Sequence, residues 1–204
     1  MSGVHEKSPD QSFPELQGHG LLLRPWNADS DVEVAAWLRG VSDPEFLRWN
    51  TPLSPVMDID SARESLRSRA DSASDGSGVS LCITEESGGA VLGHIGINEI
   101  NHVMRVAYVG YWVLPEARGH HVAARALALA SRFAFGAIRL NRLQLGHALG
   151  HDASCRVAER CGFRYEGTLR GAMFESGRHD AFRDVHLHGR IASDPTPPLP
   201  TEVP

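Results

Sequence analysis

The stretch at residues 108–134, YVGYWVLPEARGHHVAARALALASRFA, decides how this chain folds. It begins as an aromatic and β-branched run, which fits a buried strand. It then passes through Pro115-Glu116-Ala117 into a basic corner, Arg118-Gly119-His120-His121. Directly after the corner Val122, Ala126, Leu127, Ala130, Phe133 and Ala134 recur at spacings of three and four, so a helix presents one apolar stripe to a sheet. A strand that opens through such a loop onto a helix leaves backbone N–H groups unpaired and aimed at one spot, with the positive end of the helix dipole behind them. That spot suits an anion. An ordinary strand–turn–helix unit carries the same pattern, and these residues by themselves leave both readings open.

Upstream, the apolar runs 79–84 and 90–100 are separated by Glu-Glu-Ser-Gly-Gly and read as a hairpin. The strand at 106–114 extends it into an antiparallel meander that leads into the loop. Downstream, Gly136 ends the helix 122–135, and 142–148 alternates as a further strand. A strand–helix–strand connection of this kind is right-handed, so the strands at 106–114 and 142–149 are parallel within a sheet that is otherwise mostly antiparallel. If those two strands splay, a slot opens between them. A helix follows at 151–163, capped by Asp152, ended by Gly162 and burying Ala153, Val157, Ala158 and Cys161, and strands near 163–169 and 183–191 close the sheet. The fold class is α/β of the α+β kind, a mixed sheet with helices on both faces.

The first third reads as a strand at 20–25 stopped by Pro25, then a helix over 30–40 with Val32, Val34, Ala35 and Leu38 inward and Gly40 at its end. Prolines break 44–52 into a loop whose Phe46 and Trp49 either pack on the core or rim a pocket. Ser61-Ala62-Arg63-Glu64 has the form of a capping box for a solvent-facing helix through Arg69, and 71–78 reads as a loop. Residues 1–18 are polar and aperiodic, an arm; 193–204 form a proline-rich tail; 19–192 make one domain.

With 204 residues, 42% of them apolar, the chain can bury a full core. No apolar run reaches membrane-spanning length and the N-terminus lacks the features of a signal peptide, so the expected location is the cytoplasm. A net charge of −5 argues against a nucleic-acid surface. Three cysteines make no disulfide framework, and the eleven histidines are scattered, the sets His120/His121 and His147/His151 lacking a third ligand nearby; no metal site is expected.

The loop resembles the pyrophosphate loop of GNAT-fold acyl-CoA N-acyltransferases, Gln/Arg-x-x-Gly-x-Gly/Ala, with Arg118 and Ala123 at its two ends and His121 in place of the middle glycine. The second half is similar to the RimJ/RimL-type branch, whose pattern is Asn-x-x-Ser, a helix ending in Gly-Phe, Glu-Gly, and a closing Asp-Val-x-x-Tyr strand. Here these are His151-Asp152-Ala153-Ser154, Gly162-Phe163, Glu166-Gly167 and Asp184-Val185-His186-Leu187-His188. Two positions depart, since His151 replaces the asparagine and His188 the tyrosine. The resemblance covers roughly residues 20–191.

It implies acetyl-CoA as co-substrate. Backbone groups of Tyr111, Trp112 and Val113 would pair with the pantetheine amides, the N–H groups of Gly119, His120, His121, Val122, Ala123 and Ala124 would hold the pyrophosphate beside Arg118, and His151 would contact the CoA arm. The tyrosine that commonly protonates the leaving thiolate is replaced by Ala158, and Ser154 is the substitute the branch offers; the alternative for Ser154 is a first-turn capping contact. Glu99 is the candidate base or a solvated strand-end charge, while Asn98, Trp49 and Phe46 would line the acceptor pocket. The implied activity is direct acetyl transfer to a primary amine, a protein or peptide N-terminus by the branch. A small amine such as an aminoglycoside, amino sugar or polyamine, and a non-catalytic acyl-CoA-binding module, are the alternatives. The branch also implies a homodimer through the sheet.

Overall fold

Eight strands make one sheet in the computed structural model, which describes residues 15–198. In chain order they are β1 (Leu16–Gly18), β2 (Leu21–Pro25), β3 (Val79–Glu85), β4 (Val91–Asn101), β5 (Val106–Val113), β6 (Arg142–Ala148), β7 (Arg164–Glu175) and β8 (Arg178–Ile191). Across the sheet they run β1-β2-β3-β4-β5-β6-β8-β7, and only the β5–β6 pair is parallel. The helices are α1 (Asp31–Val41), α2 (Pro44–Trp49), α3 (Ile59–Ser74), α4 (Val122–Gly136) and α5 (Asp152–Arg160).

Alternation along the strands splits the interior into two layers. Leu81 and Ile83 of β3, Ile95 and Ile97 of β4, and Ala107 and Val109 of β5 face a core with Ala126, Leu127, Leu129 and Ala130 of α4 and Ala158 of α5. Cys82 and Trp112 point to the other face and meet Val34, Ala36 and Trp37 of α1 and Ala62 and Leu66 of α3. Each large apolar side chain so buried contributes roughly 1.5–3 kcal/mol, which fixes α4 against the sheet and its N-terminus at the end of the loop.

The expected parallel crossover is present and it splays. β5 and β6 pair only from Val106↔Arg142 to Tyr108↔Gln144. Beyond that point β5 stays paired with β4 as far as Gly93↔Val113, and β6 with β8 as far as Ala148↔Val185. Each strand keeps its outer partner and loses its inner one. Backbone groups of residues 109–113 on the β6 side therefore face an open slot.

Several elements differ from the sequence reading, each for a local reason. Leu16–Gly18, expected in the arm, pairs with β2; residues 1–14 and 199–204 lie outside the described residues. Gly40 does not end α1, which runs to Val41 with Ser42 as its C-cap: the glycine is buried against the ring of Trp112, and a Cβ there would come within 2.3 Å of it. That contact turns Val34, Trp37 and Gly40 inward, leaving Val32 76% exposed. Residues 44–49 are helical because Pro44 stands at the first position, where a missing N–H costs nothing, and Asp43 caps Glu45 and Phe46. α3 begins at Ile59 because Asp58 and Ser61 form the reciprocal box, so Ser61 sits in the first turn, and the helix runs through the expected loop to Ser74. α5 is flanked by His151 at its N-cap position, not Asp152, and Ala153 is exposed. β7 and β8 are longer than expected, since their polar hairpin reaches back to α2 and the residues after it, where Thr51 Oγ1 donates to Glu175 O at 2.8 Å and Ser176 Oγ to Leu47 O at 3.2 Å.

Candidate active site

Where the slot between β5 and β6 meets the N-terminus of α4 there is a cavity of about 370 Å³. Its walls come from Glu45, Phe46, Trp49 and Asn50, from Tyr111, Trp112 and Val113 of β5, from the loop and first turn of α4 through Ala124, and from His151, Ala153, Ser154, Arg156, Val157 and Arg160. Residues distant in the sequence thus share one cleft. The ring of Trp112 packs on the opposite face against Trp37, centroids 5.6 Å apart, so its main chain is what remains to face the slot.

The loop is shaped by two left-handed residues, Gly119 at φ +83° and His121 at φ +55°. His121 occupies the N-cap position of α4 and makes no side-chain cap, so the first N–H groups of the helix keep no intrahelical or capping acceptor. The position where the resemblance expects glycine is a left-handed one, which accounts for the glycine preference by backbone conformation. The imidazole is tied to the cleft wall, where Arg160 Nη1 donates to His121 Nδ1 at 3.0 Å. Because arginine only donates, that nitrogen accepts and the proton resides on Nε2. Arg118 lines the cavity with its guanidinium held by the carboxylate of Asp43, and its Nε donates to Val113 O at 3.2 Å. Arg156 and Arg160, four apart on α5, add positive charge to the wall.

A larger neighbouring space of about 690 Å³ borders the other side of the loop and includes His120. Three carboxylates, Glu85, Glu86 and Glu116, line it. Both spaces border Gly119, His121 and Val122, but Arg125 faces three carboxylates in the larger one, whereas Arg118, Arg156 and Arg160 face Glu45 in the smaller, so an anion is better placed in the smaller cleft.

At the inner end Tyr111 Oη donates to Ser154 Oγ at 3.4 Å. Burial pushes the phenol well above its ordinary value, so it stays protonated and acts toward the serine as a donor. His151 stacks on Trp49 with centroids 4.5 Å apart and planes 5° from parallel. Burial, with the adjacent His147, lowers its pKa to about 4, which makes it an uncharged partner and too weak a base for an ammonium group. Glu99 is exposed at φ +54° in the irregularity between Asn98 and Asn101, and neither Glu99 nor Asn98 lines the cleft. Glu45 is the carboxylate that does, and it accepts from Trp49 Nε1 at 2.7 Å. Sequence reasoning missed Glu45, Asn50, Arg156 and Arg160. The i, i+4 spacing of the two arginines was the available signal; nothing local marks the others.

Residues 20–164 match the model of the acetyltransferase (GNAT) domain family. The chain belongs to that family. It is similar to the ribosomal-protein-serine acetyltransferase of Escherichia coli K12, 33% identical over 50% of this chain and 55% of that one. It is also similar to the spermidine N(1)-acetyltransferase of the same organism, 31% identical over 55% of this chain and 61% of that one. The chain thus spans little more than half the length of these two curated relatives. Among solved structures, RimJ of Mycobacterium smegmatis in complex with CoA-disulfide superposes with a TM-score of 0.75 at 26% identity, covering 88% of this chain and 86% of that one. The matched part of this GNAT chain contains the loop, α4, β6 and α5, and it stops at the start of β7, leaving β8 outside.

Proposed function

We propose that this GNAT domain transfers an acetyl group from acetyl-CoA directly to a primary amine, with a protein or peptide N-terminus as acceptor. The observation that carries the reading is the continuity of one cleft, from the unpaired N–H groups of α4 to the Tyr111–Ser154 pair. Pyrophosphate would meet the N–H groups of residues 119–124 and the arginines of the wall. The pantetheine arm would lie along residues 111–113, and its amides would take the backbone groups that β6 leaves free.

The attacking nitrogen forms a bond to the thioester carbon while the carbon–sulfur bond breaks, and the electron pair leaves on sulfur. In this reading Ser154 Oγ–H protonates the thiolate. Tyr111 Oη–H, already donated to that oxygen, stabilises the serine as its proton departs. The amine gives its proton to water, and water returns one to Ser154 Oγ, so the serine is restored for the next turnover. Glu99 stands outside the cleft, and His151 is a neutral contact that orients substrate from its stacked position on Trp49.

Phe46 and Trp49 form the acceptor rim. Glu45 is the carboxylate on this wall against Arg118, Arg156 and Arg160, a balance that favours an acceptor with one cationic amine over a polyamine. The same reading has residues 16–192, β1 included, as the catalytic domain, in the cytoplasm and as a homodimer, with no nucleic-acid or membrane partner. Among the described residues no helix is long and apolar enough to cross a membrane.

The test is release of free CoA thiol from acetyl-CoA against panels of N-terminal peptides, polyamines and aminoglycosides. Turnover on peptides supports the reading. Turnover on polyamines alone moves the acceptor, and cofactor binding with no turnover on any amine leaves a binding module.

A further inference from the structure

The sequence shows His147 with only His151 near it, but the fold gathers a different set. β6 and β8 pair His147 with His186 across the ladder, and His188 follows on the same face of β8. α5 crosses this face and adds Cys155. Among the described residues, one potential ligand atom from each of the four lies within 4.8 Å of the others.

We infer that His147, Cys155, His186 and His188 form a site for a tetrahedral divalent transition metal of the zinc type. Two nitrogens about 2.05 Å from a common zinc at tetrahedral angles stand about 3.3 Å apart, and a nitrogen and a sulfur at about 2.3 Å stand about 3.5 Å apart. His147 Nε2 and His188 Nε2 are 3.3 Å apart, and Cys155 Sγ and His188 Nε2 are 3.5 Å apart. The spacings suit a shared ion. His147 Nδ1 lies 3.1 Å from Ala148 O, a contact that fixes its proton on Nδ1 and turns the lone pair of Nε2 toward the cluster, as a ligating imidazole requires. A nitrogen and sulfur donor set without an oxygen ligand selects zinc, cobalt or nickel over magnesium and calcium.

Tyr165 packs edge-on against His186 and His188, with centroids at 5.0 and 5.7 Å, and covers one side. His147 and His188 are buried, whereas His186 and Cys155 are partly exposed and open a path for the ion. On binding, the Cys155 thiol gives its proton to solvent and the thiolate becomes the fourth ligand, which closes the coordination sphere and marks the site as structural. The ion would join α5 to β6 and β8 beside Ser154, which adjoins Cys155, and beside His151, whose ring meets that of His147 edge-on at 6.1 Å. Its place is therefore under the helix that walls the cleft, outside the cleft itself.

The test is cobalt(II) titration of the untagged, chelator-treated full chain, which needs no acceptor and no turnover. One equivalent should give the visible bands of a tetrahedral ion and a near-ultraviolet thiolate-to-cobalt band, both bleached by one equivalent of zinc. Cys155→Ser should remove the thiolate band, and His186→Ala should weaken binding at least about tenfold. Both positions are partly exposed, and unchanged circular dichroism would confirm that these variants fold. Zinc should also protect Cys155 from alkylation. A weak octahedral cobalt spectrum, or a tetrahedral one unaffected by both substitutions, overturns the assignment.

Discussion

Tyr111 Oη and Ser154 Oγ stand 3.4 Å apart, joining the splayed strand β5 to the first turn of α5. The tyrosine comes from the strand that loses its inner partner and the serine from the helix that follows the other parallel strand. The pair can form only because the crossover brings both to the same end of the slot. Among the described residues Ser154 Oγ makes no capping contact, so its hydroxyl proton is available to whatever occupies the cleft.

Gly40→Ala is expected to destabilise the protein. Alanine gains about 1 kcal/mol of helix propensity, but its Cβ would come within 2.3 Å of the Trp112 ring. That ring is itself wedged against Trp26 and Trp37 at 6.0 and 5.6 Å. Overpacking of this kind costs roughly 1–3 kcal/mol, which leaves up to about 2 kcal/mol net and a Tm lower by up to about 8 °C. A rise in Tm would mean that the helix does not rest on the tryptophan.

His121→Gly should leave acetyl-CoA affinity within tenfold of the parent, because the imidazole is tied to Arg160 on the cleft wall. Its left-handed conformation costs about 1–2 kcal/mol, so the variant should also be the more heat-stable protein. Calorimetric titration decides the first point. A tenfold gain, about 1.4 kcal/mol, would show that the side chain obstructs the phosphates.

Asp43 holds two things at once, the first turn of α2 through Glu45 N at 3.1 Å and Phe46 N at 3.2 Å, and the guanidinium of Arg118. Asparagine preserves the cap and removes the charge, while alanine removes both. Urea midpoints should therefore fall in the order parent, Asp43→Asn, Asp43→Ala, the last step losing about 0.5–2 kcal/mol. Equal midpoints for the two variants would show that the cap contributes nothing.

The three thiols should differ in reactivity. Burial pushes Cys82 and Cys161 up to about 12, and a raised thiol pKa keeps the protonated, unreactive form below that pH. Cys155 is partly exposed. A chromogenic disulfide at pH 8 should react with one thiol per native chelator-treated chain and with three after denaturation. Two or more fast thiols in the native protein would contradict the burial.

Strands of the sheet were legible where apolar residues alternate with period two, as at residues 79–84 and 142–148, and where an aromatic and β-branched run stops at Pro115, as in β5. The loop was legible because its chemistry is local. What escaped was decided by partners far along the chain. Gly40 has the form of a helix terminator until Trp112, on another strand, is seen to fill the place of its side chain. The helix at 44–49 depends on Asp43, whose capping carboxylate outweighs the proline signal. Glu99 reads as a strand-end acid, yet the irregularity after Asn98 turns it to solvent. His186 and His188 lie some 40 residues from His147, and only the β6–β8 ladder makes them neighbours.

Ser154→Ala separates chemistry from architecture. If Ser154 protonates the thiolate, the variant should lose kcat by on the order of 10²–10⁴-fold while acetyl-CoA affinity stays close to that of the parent, since the hydroxyl acts after the acyl group has begun to move. A capping serine would behave otherwise: its loss costs roughly 0.5–2 kcal/mol of stability and lowers Tm without a specific effect on kcat. Tyr111→Phe distinguishes the two members of the pair. It removes the supporting donor but leaves the serine proton, so kcat should fall by less than in Ser154→Ala, and the double variant should lose little more than Ser154→Ala alone, because both groups act on one proton. Additive losses in the double variant would show that the tyrosine reaches the sulfur independently. Near-parental kcat for Ser154→Ala with an early melt would assign the serine to structure and leave the thiolate to water.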